Sequence, residues 1–316
     1  MNDKDINLNN ILIYGLGLIG GSIAKKLREK SFNPQKNGTL KIFALTHRIA
    51  TANKAIELNI VDDASDDLKK ILTKYKPNFI ILCVPPSKNF EILSKIYPFL
   101  DNKQAVLITD VSSVKGKDYS KIKKFLIAKN QETGKKIEYI GSHPMAGIEK
   151  KGLENSTKDI LDNARVLITP FENYENTEFL GKLVDFWKFL DTTPKIISVK
   201  NHDILTGFTS HFSHLVAAMQ TNLVFEEAKK KPDIISAISS SLESITRISN
   251  SDPILWTEII KMNNENLLNI LQKYKKHVQK LEQILYKNDL KEILNFFNKT
   301  KEHKEELDFL VTKDKK

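Results

Sequence analysis

The sequence predicts an α/β protein, with a doubly wound, mostly parallel sheet in residues 1–200 and an all-helical second domain in 201–316. Three observations predict it. Short runs that are apolar on both faces, such as FIILCVP (79–85) and QAVLITDV (104–111), alternate with segments of helical spacing. Strands buried between two helical layers give that pattern. The alternation stops near residue 200: every later apolar segment repeats at three to four residues and none reads as a strand. Finally, 316 residues with 41% hydrophobic content are enough for two cores.

Each element follows from its own pattern. ILIYG (11–15) is a first strand, and LGLIGGSIAKKLREK after it has helical spacing. KIFALT (41–46) is a second strand, followed by a helix over 50–59. FIILCVP and QAVLITDV continue the sheet, joined by IEYIGSH (137–143), RVLITP (165–170) and KIISV (195–199), with a helix over 175–190 still inside the alternation. Beyond His202, helices are expected over 203–229, 233–248, 253–286 and 289–308, and VTKDKK is expected to fray. Ser251-Asp252-Pro253 is a helix start with proline at the first helical position. The 253–286 segment carries Ile259, Met262, Leu267, Ile270, Leu271, Tyr274, Val278, Leu281 and Leu285 along one stripe, which needs a partner surface within the chain or across a dimer.

Composition removes several function classes. No run approaches the roughly 18 apolar residues of a membrane helix, and the opening MNDKDINLNN has no secretory h-region. A single cysteine, Cys83, fits a reducing cytoplasm. The net charge of +10 comes from scattered lysines, with arginine only at 28, 48, 165 and 247. No compact basic run interleaves with aromatics, so neither nucleic acid nor membrane is an expected partner. A positive surface instead favours encounter with a small anionic substrate. No metal site is expected.

The glycine pattern Gly15-x-Gly17-x-x-Gly20 follows the first strand and opens a helix. That context points to a Rossmann-type dinucleotide site: a tight turn at Gly15, close approach of backbone to a pyrophosphate at Gly17, and helix–sheet packing at Gly20. Residues Gly15, Leu16, Gly17, Leu18, Ile19 and Gly20 form the expected cofactor turn, with Val84 at the end of a neighbouring strand. Where NAD-preferring sites place an acid, the second strand here ends in Thr46-His47-Arg48. Thr46 and Arg48 suit a 2′-phosphate, so NADP is favoured over NAD; the other reading has Arg48 solvated and NAD bound without its usual acid.

At the chemical end, His143 closes a strand and Pro144 follows it. A histidine there, beside a nicotinamide site, is suited to accept a proton from a substrate hydroxyl as hydride leaves the same carbon. Its ordinary pKa, near ~6.5, leaves it mostly neutral. A nearby serine hydroxyl would fix the ring.

Five segments together resemble the prephenate/arogenate dehydrogenase family of tyrosine biosynthesis. They are Gly15–Ser22 (GLGLIGGS), Asp110-x-x-Ser113-Val114-Lys115, Gly141-x-His143-Pro144-Met145-Ala146-Gly147, His202-Asp203 with Ser210-His211-x-x-His214, and Thr246-Arg247-Ile248 with Asp252-Pro253 and Trp256. The resemblance implies His143 as the catalytic base at the substrate's C4 hydroxyl and Ser113 as the residue orienting it. It implies Arg247 gripping a substrate carboxylate, His214 as a second substrate-side histidine, Glu149 and Trp256 lining or gating the pocket, and a homodimer. Two departures fall on the substrate side: Ser213 stands where the family often has proline, and Ser241-Leu242-Glu243-Ser244 where it shows a glycine-aromatic-basic-aspartate run. Two alternatives stand beside this reading. A 3-hydroxyacid-type dehydrogenase would carry a catalytic lysine on the first helix of the second domain, where 202–222 has histidines and no lysine. A catalytically inactive relative binding prephenate or dinucleotide is the other.

Overall fold

The computed structural model describes residues 8–31, 40–172 and 177–315. Six strands, β1 (Asn10–Tyr14), β2 (Lys41–Leu45), β3 (Asp63–Ser65), β4 (Phe79–Leu82), β5 (Val106–Asp110) and β6 (Ile137–Tyr139), form one sheet in the order β3-β2-β1-β4-β5-β6. All five pairings are parallel. The strand order reverses between β1 and β4, and the crevice at the carboxyl ends there is where such sheets bind ligands. Helices α1 (Leu18–Ser31), α2 (Ile49–Glu57), α3 (Leu68–Tyr75), α4 (Asn89–Ile96) and α5 (Gly116–Thr133) lie between the strands in sequence.

The apolar runs are continuous because both faces are covered. Ile11, Ile13, Ile42, Phe79 and Ile81 enter one core cluster. Their strand neighbours Leu12, Phe43, Ile80 and Leu82 enter another. Alternation therefore persists along each strand, with both sets of side chains buried. The short edge strand β3 was not foreseen; three residues carry no readable period.

Residues 137–143, expected as one strand, are divided between two sheets. Ile140 still donates to Ile108 O (3.0 Å), but β7 (Gly141–Pro144) belongs to a second, three-stranded sheet with β8 (Arg165–Thr169) and β9 (Thr193–Ile196). β7 pairs antiparallel with β8, with His143 opposite Leu167, and β8 pairs parallel with β9. Gly141 makes the crossing possible: a Cβ there would lie 2.6 Å from Thr169 Oγ1 and 2.9 Å from the Tyr119 ring. The RVLITP and KIISV runs thus serve the second sheet. The last strand ends at Ile196 because Ser198 caps the next helix, accepting from Asn201 N. Helix α6 (Glu178–Phe189) sends the Trp187 indole N–H to Ser142 Oγ (2.9 Å), which also bonds Thr109 Oγ1 (2.8 Å), fastening the second sheet to β5.

The helical part opens with α7 (Val199–Thr206), a π-helical turn at Gly207–His211, and α8 (Phe212–Lys230). Then come α9 (Asp233–Ser236), α10 (Ser240–Thr246), α11 (Pro253–Met262), α12 (Asn264–Lys287) and α13 (Leu290–Lys315). The expected continuous helix over 253–286 is interrupted at Asn263. That residue is buried, leaves helical geometry (φ −104°, ψ 18°), and donates its amide to Asp203 O (2.8 Å). Where VTKDKK was expected to fray, α13 continues through Lys315, and Lys316 lies outside the described residues. By compactness the chain divides at Asn264, with a second unit from Glu265 onward. In that second unit Leu271, Tyr274, Val278 and Leu285 of the stripe remain exposed. Among the described residues no helix is long and apolar enough to cross a membrane.

The glycine turn supplies a test of this packing. A Cβ at Gly20 would sit 2.0 Å from Gly15 O, whereas one at Gly17 would meet no atom within 4 Å. Gly20→Ala should therefore lower the stability read from urea unfolding by ~1–3 kcal/mol or more. Gly17→Ala should leave the unfolding midpoint nearly unchanged. Equal effects would contradict the assignment of Gly20 to packing.

Candidate active site

At the end of β1 the chain turns sharply at Gly15, whose φ is +99° and whose N–H donates to Leu45 O (2.8 Å). A Cβ on Gly15 would lie 2.4 Å from Cys83 O and 3.4 Å from Val84 Cγ1, so the turn presses directly on the end of β4. Leu16 is buried, Leu18 and Ile19 open α1, and Gly17 alone of the three signature glycines faces open space. This is the division of labour a pyrophosphate needs: two glycines held by close packing, and one leaving the first helical N–H groups approachable. The residues present fit a dinucleotide.

The end of β2 carries no acid. Asp62 is committed elsewhere, accepting from Ile42 N (2.7 Å) and pairing with Arg28 (3.3 Å). Thr46 is buried and its hydroxyl donates to Arg48 O (2.8 Å), so it shapes the turn. The Arg48 side chain is exposed at the start of α2.

The loop after β5 is held by a buried ion pair. Lys115 Nζ lies 2.6 Å from Asp110 Oδ1, with both side chains 1% exposed. It also donates to Ser142 O (2.7 Å) and Ser112 O (3.2 Å), while Tyr139 OH donates to Asp110 Oδ2 (2.7 Å). One ammonium thus ties the loop carrying Ser113 to the peptide just before His143. Burial pulls the Lys115 pKa down despite Asp110 beside it.

His143 is 6% exposed, and its Nδ1 lies 3.0 Å from Nε2 of His202 on α7. His202 Nδ1 lies 2.7 Å from Asp203 Oδ1. The Asp203 carboxylate also accepts the backbone N–H groups of Lys115 (2.9 Å, Oδ1) and Gly116 (2.7 Å, Oδ2) at the start of α5. Burial, reinforced by His202, Lys115 and His211 nearby, pushes the His143 pKa well below the usual histidine value. Burial also lowers His202, overcoming the upward pull of Asp203. Burial would raise Asp203, but the bond from His202 and the two amides bring it below the ordinary carboxylate value. The sequence expectation put Ser113 against this imidazole. The ring's hydrogen bond is to His202 instead, and Ser113 sits half-buried on the loop with its backbone beside His211.

The helical elements complete the cleft. Asn263 Nδ2 is shared with His211 Nδ1 (2.9 Å), and burial lowers His211 to about 4. The His211 ring lies 6.0 Å from Trp256, which stacks on His214 (3.6 Å, 24°). His214 Nδ1 donates to Ser210 O (3.1 Å). The pKa of His214 is lowered by burial, with Glu149 and Arg247 both close enough to act on it. Arg247 in turn bonds Glu149, six residues past His143 on the loop leaving β7. The structure therefore brings His143, His214, Glu149, Trp256 and Arg247 into one connected cluster. The cluster residues not singled out for a role were Lys115, His202, Asp203, His211 and Asn263. The available signals were the adjacent His202-Asp203 pair and an asparagine inside an apolar helical stripe.

Comparison with known proteins agrees along the chain. The model for the prephenate dehydrogenase nucleotide-binding domain matches residues 23–195, and that for the prephenate dehydrogenase dimerization domain matches residues 198–299. A prephenate dehydrogenase from Lactococcus lactis subsp. cremoris is 32% identical over 286 residues, covering 90% of this chain and 74% of the relative. The crystal structure of Aquifex aeolicus prephenate dehydrogenase with hydroxyphenyl propionate and NAD+ matches with a TM-score of 0.81 at 27% identity, over 96% of this chain and 100% of that one. Synechocystis arogenate dehydrogenase matches with a TM-score of 0.73 at 26% identity, over 94% and 99%.

The buried histidines set the acid stability. His143, His202 and His211 are all lowered in the folded chain, so below ~6.5 the unfolded chain binds protons that the folded one does not. Stability is present at neutral pH and falls with pH, by as much as about 1.4 kcal/mol per pH unit for each histidine. The urea midpoint should drop steadily between pH 7 and 5. A flat midpoint over that range would mean the three rings are not buried and neutral.

Proposed function

This chain belongs to the prephenate dehydrogenase family, and we propose that His143 is the base of its reaction. The protein is an NAD(P)-dependent oxidoreductase that oxidises and decarboxylates prephenate or arogenate, giving 4-hydroxyphenylpyruvate or tyrosine. The observation carrying the residue assignment is His143 itself: a buried, uncharged imidazole at the end of β7, with Nδ1 engaged by His202 and Nε2 left for a substrate hydroxyl.

A dinucleotide held by the Gly15–Gly20 turn would supply the acceptor for the hydride lost from C4 of the substrate ring. His143 Nε2 takes the proton of the C4 hydroxyl as that hydride leaves. Loss of the ring carboxylate as CO2 follows because it leaves an aromatic ring, and the proton held on His143 returns to the phenolate oxygen. The depressed His143 pKa keeps the ring neutral at neutral pH, the form from which a base starts. Ser113, on the loop fixed by Lys115, completes the polar set at this end.

On the substrate side, Arg247 offers a planar fork suited to a carboxylate, and its bond to Glu149 supports a gate. An entering dianion exchanges one carboxylate partner of Arg247 for another. The stacked His214–Trp256 pair forms a wall, with His214 Nε2 free of the Ser210 contact. The Gly15–Gly20 turn with Val84 holds the dinucleotide. Arg48 at the end of β2, where an acid would favour NAD, supports NADP as the preferred form. The dimerization-domain match and the exposed stripe from Leu271 to Leu285 support a homodimer, and the single cysteine supports a reducing, cytoplasmic setting.

Two measurements test these assignments. His143→Asn should lower kcat by ~10²–10⁴-fold, followed through reduced-nicotinamide absorbance, while dinucleotide binding by fluorescence titration stays intact. Retained turnover would remove His143 from the reaction. Arg48→Ala should raise KM for NADP+ by about tenfold while leaving that for NAD+ little changed. A parallel loss for both cofactors would point to NAD.

A further inference from the structure

We propose that Asp203 and His202 are positioning residues that fix His143 in its base-competent tautomer and steady the cation it becomes. The proposal rests on the reading of His143 as the base. The donor and acceptor roles follow from one end of the chain of contacts. An ionised carboxylate only accepts, so Asp203 Oδ1, 2.7 Å from His202 Nδ1, requires the hydrogen of His202 to sit on Nδ1. A neutral His202 then carries its lone pair on Nε2. That atom lies 3.0 Å from His143 Nδ1, so it accepts, and His143 must carry its hydrogen on Nδ1. The remaining ring nitrogen, Nε2, is left with the lone pair, the arrangement a base needs. Reversing any link places the hydrogen on Nε2 and disables the ring.

Asp203 can anchor the chain because its other contacts fix its charge state and orientation. Lys115 N and Gly116 N both donate to it, and Asn263 holds its own carbonyl. When His143 takes the hydroxyl proton on Nε2, the Nδ1 hydrogen remains on His143 and its bond to His202 shortens toward a charge-assisted one. No proton leaves the pair, and the same proton is returned to the phenolate. The neighbouring charged and titratable groups are Lys115 and His211 beside His143, with Asp110 acting on His202. Lys115 opposes a cation on His143, so the carboxylate two rings away is the counter-charge that makes the transient imidazolium tolerable.

The test begins with the unaltered protein. The imidazole ¹⁵N shifts of His143 and His202, assigned by their loss in His143→Asn and His202→Phe, should show both rings with hydrogen on Nδ1 at pH 7.5. Hydrogen on Nε2 of His143 would overturn the proposal whether or not the variants fold. His202→Phe keeps an aromatic ring and removes both bonds. It should cut kcat by about 10²-fold or more while KM for prephenate stays within about threefold, with His202→Gln, which restores an acceptor, recovering part of the loss. Wild-type kcat in a folded His202→Phe would overturn the relay while His143→Asn stays inactive. If His143→Asn is also active, it is the base assignment that fails. Asp203→Asn separates position from packing: a merely structural Asp203 would lower thermal stability and leave the His143 tautomer and the acid limb of the kcat/KM profile unmoved. The relay requires both to change.

Discussion

The grip of the α5 N-terminus on the Asp203 carboxylate is the joint on which the site depends. Two backbone N–H groups from the loop after β5 meet a side chain from the first helix after the sheets. Amides at a helix start have no partner within the helix, and a carboxylate satisfies them while gaining from the local dipole. The same carboxylate holds His202, and His202 holds His143. A capping contact that would otherwise serve only local stability thus sets the position of the imidazole, and it draws α7 onto the nucleotide-binding half. Asn263 closes the same knot from the far side, bonding Asp203 O and His211 Nδ1.

A second constraint works on the loop from beneath. Lys115 and Asp110 are withdrawn from water together, a costly arrangement unless every donor is matched. The matches are present. The ammonium reaches Asp110, Ser112 O and Ser142 O, and Asp110 receives Tyr139 OH and Ser112 N. A network with so few ways to be satisfied specifies one loop conformation, and that specificity is what a reacting centre requires. The Arg247 end of the cluster is built differently. Arg247 is largely exposed and its partner Glu149 lies on a loop, so this ion pair is the more readily exchanged of the two.

Much of this was legible in the residues. Apolar runs of five or six, buried on both faces, marked β1, β2, β4 and β5, because a strand between two helical layers has no polar side to hide. The glycine spacing marked the sharp turn after β1, where backbone lies within 2.4 Å of a would-be Cβ at both Gly15 and Gly20. What stayed hidden was decided by contacts distant in sequence. Periodicity could not show that 137–143 changes sheets, because the cause is the approach of Tyr119 and Thr169 to Gly141. Nor could it show that Asn263 stops a helix, because the cause is Asp203, sixty residues earlier. The orienting partner of His143 was assigned to a serine in a neighbouring motif. The pair whose imidazole bonds His143 in space, His202-Asp203, stood in plain view as adjacent letters but without the fold that carries it there.

The passage through Gly141 also settles a matter of parity. Consecutive residues of β7 point to opposite sides, so Ser142 meets the Trp187 indole while His143 meets His202. Odd and even are therefore not interchangeable along this short ribbon. One residue added or lost between the two ladders would turn the imidazole toward the indole and offer the cleft a serine in its place. The spacing of the crossing thus decides which side chain, imidazole or hydroxyl, reaches His202 and which reaches the indole.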